Sequence, residues 1–130
     1  MPVTLPHTLL QVVEPGFIVL AGITLLLVFL LIVLSESVVL QLLGWGDRRA
    51  TWIAAIKFNA VSAVLTAPVL GMARQWGEPS LWLAWGLSVV IEGLILLRLK
   101  QGTALYNFLC ALLANTASYL ILILPSFLFA

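Results

Sequence analysis

Four long apolar runs separated by three short polar segments constrain this chain more than any other feature. Each run is long enough to form a helix of about 20 residues, which crosses a hydrocarbon layer about 30 Å thick. The runs extend over residues 17–43, 50–73, 81–99 and 104–124. The segments between them contain glycine together with charged residues or proline, which favours turns. We therefore predict an all-α integral membrane protein with four transmembrane helices, arranged as two tandem antiparallel hairpins.

The composition excludes a soluble domain. Hydrophobic residues make up 63% of the chain and charged residues 8%, whereas soluble domains carry about 25% charged residues. The 130 residues leave room for four spans and little else. Because the net charge is only +1 and the cationic residues form no stripe, we expect no nucleic-acid partner.

The apolar runs and their breaks divide the chain into five parts. We predict an interfacial N-terminal lead-in (1–16), a first transmembrane hairpin (17–73), a connecting loop (74–80), a second hairpin (81–124) and a C-terminal tail (125–130). His7 lies alone in the lead-in, so we interpret it as an interfacial residue and not as a ligand. Cys110 is the only cysteine and lies in an apolar run, so we expect it to be a small packing residue.

A polar signature occurs twice within the apolar runs, and the second copy follows the first by 56 residues at each position. The first copy is Glu36, Asn59 and Ser62, and the second is Glu92, Asn115 and Ser118. Two spans per copy make both copies cross the membrane in the same direction. We therefore predict a parallel internal repeat, related by a pseudo-twofold axis along the membrane normal.

Glu36 and Asn59 are equidistant from the turn that joins their spans, so the two side chains are expected to meet across the hairpin. The same holds for Glu92 and Asn115. Glu36 lies about 12 Å from the turn, close to the middle of the hydrocarbon layer. Each asparagine is preceded by an alanine one turn earlier, and small residues let membrane helices approach closely.

Two interpretations of these polar residues remain open. In the first, each glutamate is a neutral carboxyl that bonds its asparagine and fixes the packing of the hairpin. In the second, the carboxylates with the asparagine and serine oxygens line a pocket for a proton, a cation or a polar headgroup. Replacement of both glutamates by glutamine distinguishes a structural role from a charge-dependent one.

The basic residues suggest an orientation. The first and third turns carry Arg48, Arg49, Arg98 and Lys100, whereas the second carries only Arg74. Since cytoplasmic loops are enriched in basic residues, we expect both termini on the non-cytoplasmic side. The same four residues and Lys57, which lies within the second span, are candidate contacts for lipid or for a partner subunit. Trp45 is expected in an aromatic belt at the interface.

The chain contains no nucleophile–base pair, zinc spacing, phosphate loop or dinucleotide motif, so we predict no enzyme, no catalytic residue, no metal and no cofactor. A bound lipid is compatible with the apolar faces.

We expect a small accessory or scaffold subunit of a larger membrane protein complex, in contact with lipids, with other integral membrane subunits or with a second copy. The alternatives are a proton- or cation-coupled transporter or channel that uses Glu36 and Glu92, and a lipid- or quinone-binding membrane protein.

Overall fold

The computed structural model describes residues 14–100, 102–123 and 125, and every regular element in this part of the chain is helical. The elements are α1 (Pro15–Leu42), α2 (Arg48–Gly71), the single turn α3 (Ala73–Trp76), α4 (Glu78–Leu99) and α5 (Ala104–Ser118), which continues into a π-helical turn (Tyr119–Ile123). Four helices are long and apolar enough to cross a membrane, namely α1, α2, α4 and the stretch Ala104–Leu122. The structure therefore confirms the prediction of an all-α protein with four helices that can span a membrane.

Local sequence explains where these helices begin and end. Asp47 and Thr103 precede α2 and α5, and the side chain of each accepts a hydrogen bond from a backbone N–H in the first turn of its helix. Gly44 and Gly77 have φ angles of 71° and 63°, a region that other residues avoid. These turn residues therefore interrupt the apolar runs close to the expected positions.

Three boundaries differ from the sequence prediction. α1 begins at Pro15 and α4 at Glu78, so residues expected in the lead-in and the connecting loop belong to helices. The reason is that proline is well tolerated in the first turn of a helix, where its missing N–H has no partner to lose. The fourth span is not a regular α-helix to its end, because it changes to π-helical geometry at Tyr119. Pro125 follows, and its ring is incompatible with a regular α-helix through this region.

His7 and the rest of residues 1–13 lie outside the described residues, as do residues 101, 124 and 126–130. The predicted interfacial lead-in and the predicted tail therefore fall mainly on this part of the chain.

The four long helices form a ring in which α1 and α4 each pack against both α2 and α5. α1 and α4 consequently lie across the bundle from each other. The buried apolar side chains are mostly small, and include Ala54, Ala55, Ala84, Ala111 and Ala114. Apart from Leu40, Phe58 and Leu96, most large apolar side chains point outward. In lipid there is no hydrophobic drive to bury them, and small residues at the contacts let the helices pack closely.

The turn between α1 and α2 is joined to the start of α5 by side-chain contacts. Trp45 Nε1 donates to Asn107 Oδ1 at 2.9 Å, and the Tyr106 hydroxyl donates to the Leu43 carbonyl at 3.0 Å. Lys100 Nζ donates to the Trp45 carbonyl and lies 5.5 Å from the centroid of its ring. Trp45 lies in the turn, at the end of the bundle where the sequence predicts it, but its ring is only 4% exposed and packs against protein. Its indole N–H donates to the buried side-chain amide of Asn107.

Gly93 allows α4 and α5 to approach closely, because a Cβ at this position would overlap the ring of Phe108. We expect Gly93→Ala to lower the free energy of unfolding by about 1–3 kcal/mol. Gly86→Ala is the matched control in the same helix, where a Cβ would meet no atom within 4 Å. It should be neutral or stabilising by up to about 1 kcal/mol, since alanine is the better helix former. Equilibrium unfolding in mixed micelles measures both, and equal effects would contradict the close helix contact.

Candidate functional site

The structure brings the six repeated polar residues together in the interior of the bundle. Asn59 is the most exposed of them, at 8%, and both glutamates are 1% exposed. All six line one cavity between α1, α2, α4 and α5: Glu36, Asn59, Ser62, Glu92, Asn115 and Ser118. Charged and amide side chains at this depth are costly in lipid unless they bond one another.

Each glutamate contacts the asparagine that follows it by 23 residues. Asn59 Nδ2 donates to Glu36 Oε2 and to the Ala55 carbonyl, the latter at 2.9 Å. Asn115 Nδ2 donates to Glu92 Oε2. We call these two contacts the clasps. One clasp joins α1 to α2 and the other joins α4 to α5, so each fixes the relative height of two helices.

A serine connects the two halves of the bundle. Ser118 Oγ, on α5, donates to Glu36 Oε1 on α1 at 2.7 Å. The Glu36 carboxyl therefore accepts a hydrogen bond on each of its two oxygens, one from Asn59 and one from Ser118.

Glu92 is bonded differently. Ser62 stands 56 residues before Ser118, but its hydroxyl donates to Ser88 Oγ at 3.0 Å. The residue that stands 56 positions before Ser88 is Ile32, which has no hydroxyl. Glu92 Oε2 accepts a hydrogen bond from Asn115 Nδ2, and Ser62 is a second side-chain neighbour of this carboxyl group. The two carboxyl groups thus have unequal surroundings.

The cavity has a volume of about 110 Å³. This is room for several water molecules or for one small organic group, because one water needs at least about 10–15 Å³ of such space. Beyond the six polar residues the lining is largely apolar or aromatic: Phe29, Ile32, Ala63, Thr66, Leu70, Ser88 and Tyr119. The cavity therefore has a polar part at the clasps and an apolar part beside it.

Among the residues that the structure describes, no lysine, arginine or histidine lines this cavity. Two ionised carboxylates in an interior of low dielectric constant would repel each other strongly without a counter-charge. The cavity is therefore suited to a proton or to one monovalent cation. Within the described residues no group of three or more histidine, cysteine, aspartate or glutamate side chains could hold a metal ion.

The basic residues predicted as interface or lipid contacts lie apart from the cavity. Arg48, Arg49, Arg98 and Lys100 are exposed at the turns, and Lys100 also contacts Trp45. Lys57 is exposed on α2, whereas Asn59, about 200° around the same helix, is buried.

Sequence reasoning missed several polar residues of the interior, among them Ser88, Asn107 and Tyr119. Ser88 lies four residues before Glu92, a spacing that places both on one helix face and could have revealed it. The bond from Trp45 to Asn107 connects residues 62 positions apart, and no sequence pattern indicates a contact over that separation. No pattern in the sequence indicates that Tyr119 lines the cavity, since it depends on the π-helical turn.

No protein-family model, curated protein or solved structure matches this chain. The function is therefore inferred from the residues and their geometry.

Replacement of Asn115 by leucine removes the donor to Glu92 while keeping a side chain of similar size. We expect Asn115→Leu to lower the free energy of unfolding by about 1–2 kcal/mol, the range measured for hydrogen bonds between membrane helices. Thr116→Val is the matched control, because within the described part of the chain the Thr116 hydroxyl bonds only the Leu112 carbonyl of its own helix. Unfolding in mixed micelles should show little change for this variant. A loss of equal size in both variants would contradict the clasp.

Proposed function

We propose that this protein is a small, non-catalytic membrane subunit that assembles with other membrane helices as an accessory or scaffold subunit of a larger complex. The observation that carries the proposal is the uncovered surface of α1. None of residues 14–32 is buried. Only 6% of the apolar core stretch of α1 is buried, against 33–39% for the other three spans.

The length of α1 supports this proposal. Its 28 residues extend about 42 Å, and its first buried residue is Val33. Lipid can cover apolar surface, but close packing between helices is the main attraction that membrane helices offer one another. Over about the first half of its length α1 presents large apolar side chains that the other described helices do not bury, including Phe17 at 66% and Leu25 at 71% exposed.

We infer further that the spans form two tandem antiparallel hairpins, a parallel internal repeat with its pseudo-twofold axis along the membrane normal. The two clasps support this, because each joins a glutamate to the asparagine 23 residues later. The contact between the turn at Trp45 and the start of α5 also supports it, since the first and third turns then lie at one end of the bundle. Their basic residues favour the cytoplasm for that end, and hence the opposite side for both termini.

Assembly through α1 predicts a difference between two matched substitutions. Ile23 on α1 is 52% exposed and Val90 on α4 is 51% exposed. Ile23→Trp should weaken association severalfold, because a large side chain disturbs a packed helix interface, whereas Val90→Trp should not. Native mass spectrometry and native gels after purification in mild detergent measure the assembly. Migration of the wild-type protein only as an isolated small species would contradict the proposal.

A second candidate function is a proton- or cation-coupled transporter or channel that uses Glu36 and Glu92. The cavity favours it, because two carboxyl groups from helices on opposite sides of the bundle face one space. Intramembrane carboxyl groups of this kind commonly mark ion or proton pathways.

Flux through reconstituted liposomes tests this candidate. We expect Glu36→Gln and Glu92→Gln each to lower proton- or cation-driven flux at least about tenfold, because neither variant can carry the charge that couples the movement. Glu14→Gln, at an exposed position just before α1, is the control and should leave flux unchanged. Absence of wild-type flux under any imposed gradient would reject the candidate and leave the subunit proposal intact.

A further inference from the structure

α2 carries a lysine on the outer surface of the bundle, deep within its membrane span. Lys57 is exposed and follows Arg48, the first residue of α2, at a distance of about 13 Å along the helix. Because the hydrocarbon layer is about 30 Å thick, this position lies close to its middle. An ammonium group at such a depth is costly in lipid unless an opposite charge lies beside it.

The chain itself does not bring a carboxyl group to Lys57. Two of its five acidic residues, Glu36 and Glu92, are buried in the clasps, whereas Lys57 faces outward. The other three, Glu14, Asp47 and Glu78, lie where α1, α2 and α4 begin. A second copy inserted in the same orientation has its carboxyl groups at the same heights. The negative charge must therefore come from a different molecule.

Lipid phosphates do not fit this requirement. They lie in the headgroup region, outside the hydrocarbon layer. Arg48 and Arg49 mark the edge of that layer at the start of α2. The four-carbon side chain of lysine is shorter than the distance from Lys57 to this edge. An acidic side chain on another transmembrane helix, in contrast, can lie at the depth of Lys57.

Lys57 belongs to a continuous exposed face of α2. Its members recur at alternating spacings of four and three residues, and all six are exposed: Ile53, Lys57, Ala60, Val64, Ala67 and Gly71. Contact residues recur with this spacing where two long helices pack side by side. Three of the six are alanine or glycine, which let a neighbouring helix approach closely. We call these six residues the α2 face.

The outer surfaces of α4 and α5 are different in character. They present large aliphatic side chains, which lipid covers without any partner: Leu83, Leu87 and Leu94 on α4, and Leu105, Leu109 and Leu113 on α5. Space outside Gly71 is open, since a Cβ added there would meet no atom within 4 Å. A charge combined with small residues therefore distinguishes the α2 face from surfaces that suit lipid alone.

The α2 face also reaches the height of the uncovered part of α1. The first clasp places Asn59 level with Glu36, and α1 and α2 run in opposite directions from their common turn. Val64, five residues beyond Asn59, is therefore level with Leu31, which is 49% exposed. The surface through which we propose that α1 assembles continues at this height.

We propose that the α2 face docks a transmembrane helix of a different membrane protein, and that this helix carries one aspartate or glutamate near its middle, which pairs with Lys57. Opposite charges attract far more strongly in a medium of low dielectric constant than in water. Ala60 and Ala67, on either side of Val64, bring the two helices close enough for the pair to form. This inference names the chemistry of the partner in the accessory-subunit function proposed above, and it rests on that function.

Designed transmembrane peptides in lipid vesicles test the pairing with the full chain. The probe is a helix of about 20 leucines with one glutamate at its centre, and the matched peptide has glutamine there. Förster transfer between labelled peptide and labelled protein measures their association. We expect the glutamate peptide to bind at least about tenfold more tightly than the glutamine peptide. Equal binding of the two peptides would overturn the proposal.

Variants at Lys57 test whether this residue causes the preference. Lys57→Leu should bind both peptides equally, and its unfolding midpoint should not fall, because the side chain is exposed. Arg49→Leu removes the same charge from the first turn of α2 and should keep the preference. Lys57→Glu should reverse it, so that a peptide with a central lysine binds more tightly than the glutamate peptide. A preference that survives Lys57→Leu would overturn the proposal.

Two further measurements identify a different occupant of the α2 face. A preference that disappears when phosphatidylglycerol is added to the vesicles would assign Lys57 to lipid phosphates. A homodimer that dissociates on Ala60→Trp, but not on Val90→Trp, would assign the face to a second copy. Either result would overturn the proposal.

Native gels in mild detergent separate this inference from the function on which it rests. We expect Lys57→Leu to weaken the native assembly at least about tenfold, because the carboxyl group of the partner then lacks its counter-charge. An assembly that persists unchanged in Lys57→Leu would leave the accessory-subunit function intact and overturn the pairing. If the wild-type chain migrates only as an isolated small species, the subunit function is contradicted, and the peptide preference alone decides the α2 face.

Discussion

The carboxyl groups of Glu36 and Glu92 must be satisfied within the bundle, because the surrounding hydrocarbon offers neither water nor donors. This requirement determines which side chains occupy much of the interior. Each glutamate receives an asparagine from the helix that follows, and one of them also receives a serine from the opposite half. The buried set is consequently rich in polar and small residues, while leucine, isoleucine and valine cover the outside. In such a protein, a few directional hydrogen bonds and close helix contacts select one arrangement of the helices, and a large apolar core does not.

These bonds are distributed unevenly along the bundle. At one end, Trp45, Tyr106 and Asn107 join the first turn to α5, and the clasps follow about two to three helical turns further in. Towards the other end, α1 has no buried residue before Val33. The cavity extends from the clasps in this direction, as far as Phe29 and Leu70. Tight bonding at one end with a cavity towards the other is compatible with both proposed functions, namely assembly through α1 and passage of a proton or cation past Glu36 and Glu92.

The four spans could be predicted because apolar runs of this length have few alternatives in lipid. The meeting of Glu36 with Asn59 could also be predicted, since two helices joined by a tight turn place equidistant residues at one height. Contacts between the two halves could not. The sequence does not indicate that Ser118 reaches Glu36, that Ser62 bonds Ser88, or that Trp45 turns inward to Asn107. Each of these contacts depends on which helices are neighbours around the ring. Hydropathy predicts how long each helix is and how deep its residues lie in the membrane, but it does not predict which helices pack together.

The most informative feature of the site is a departure from the 56-residue correspondence between its two polar triads. Glu36 and Glu92 stand at matching positions, and each contacts the asparagine 23 residues later. Ser88, however, stands 56 positions after Ile32, which has no hydroxyl, and Ser62 bonds Ser88 at 3.0 Å. This bond joins α2 to α4, whereas the bond from Ser118 to Glu36 joins α5 to α1. The two clasps are therefore chemically alike, but the contacts that connect one clasp to the other are not, and each carboxyl group consequently has its own surroundings.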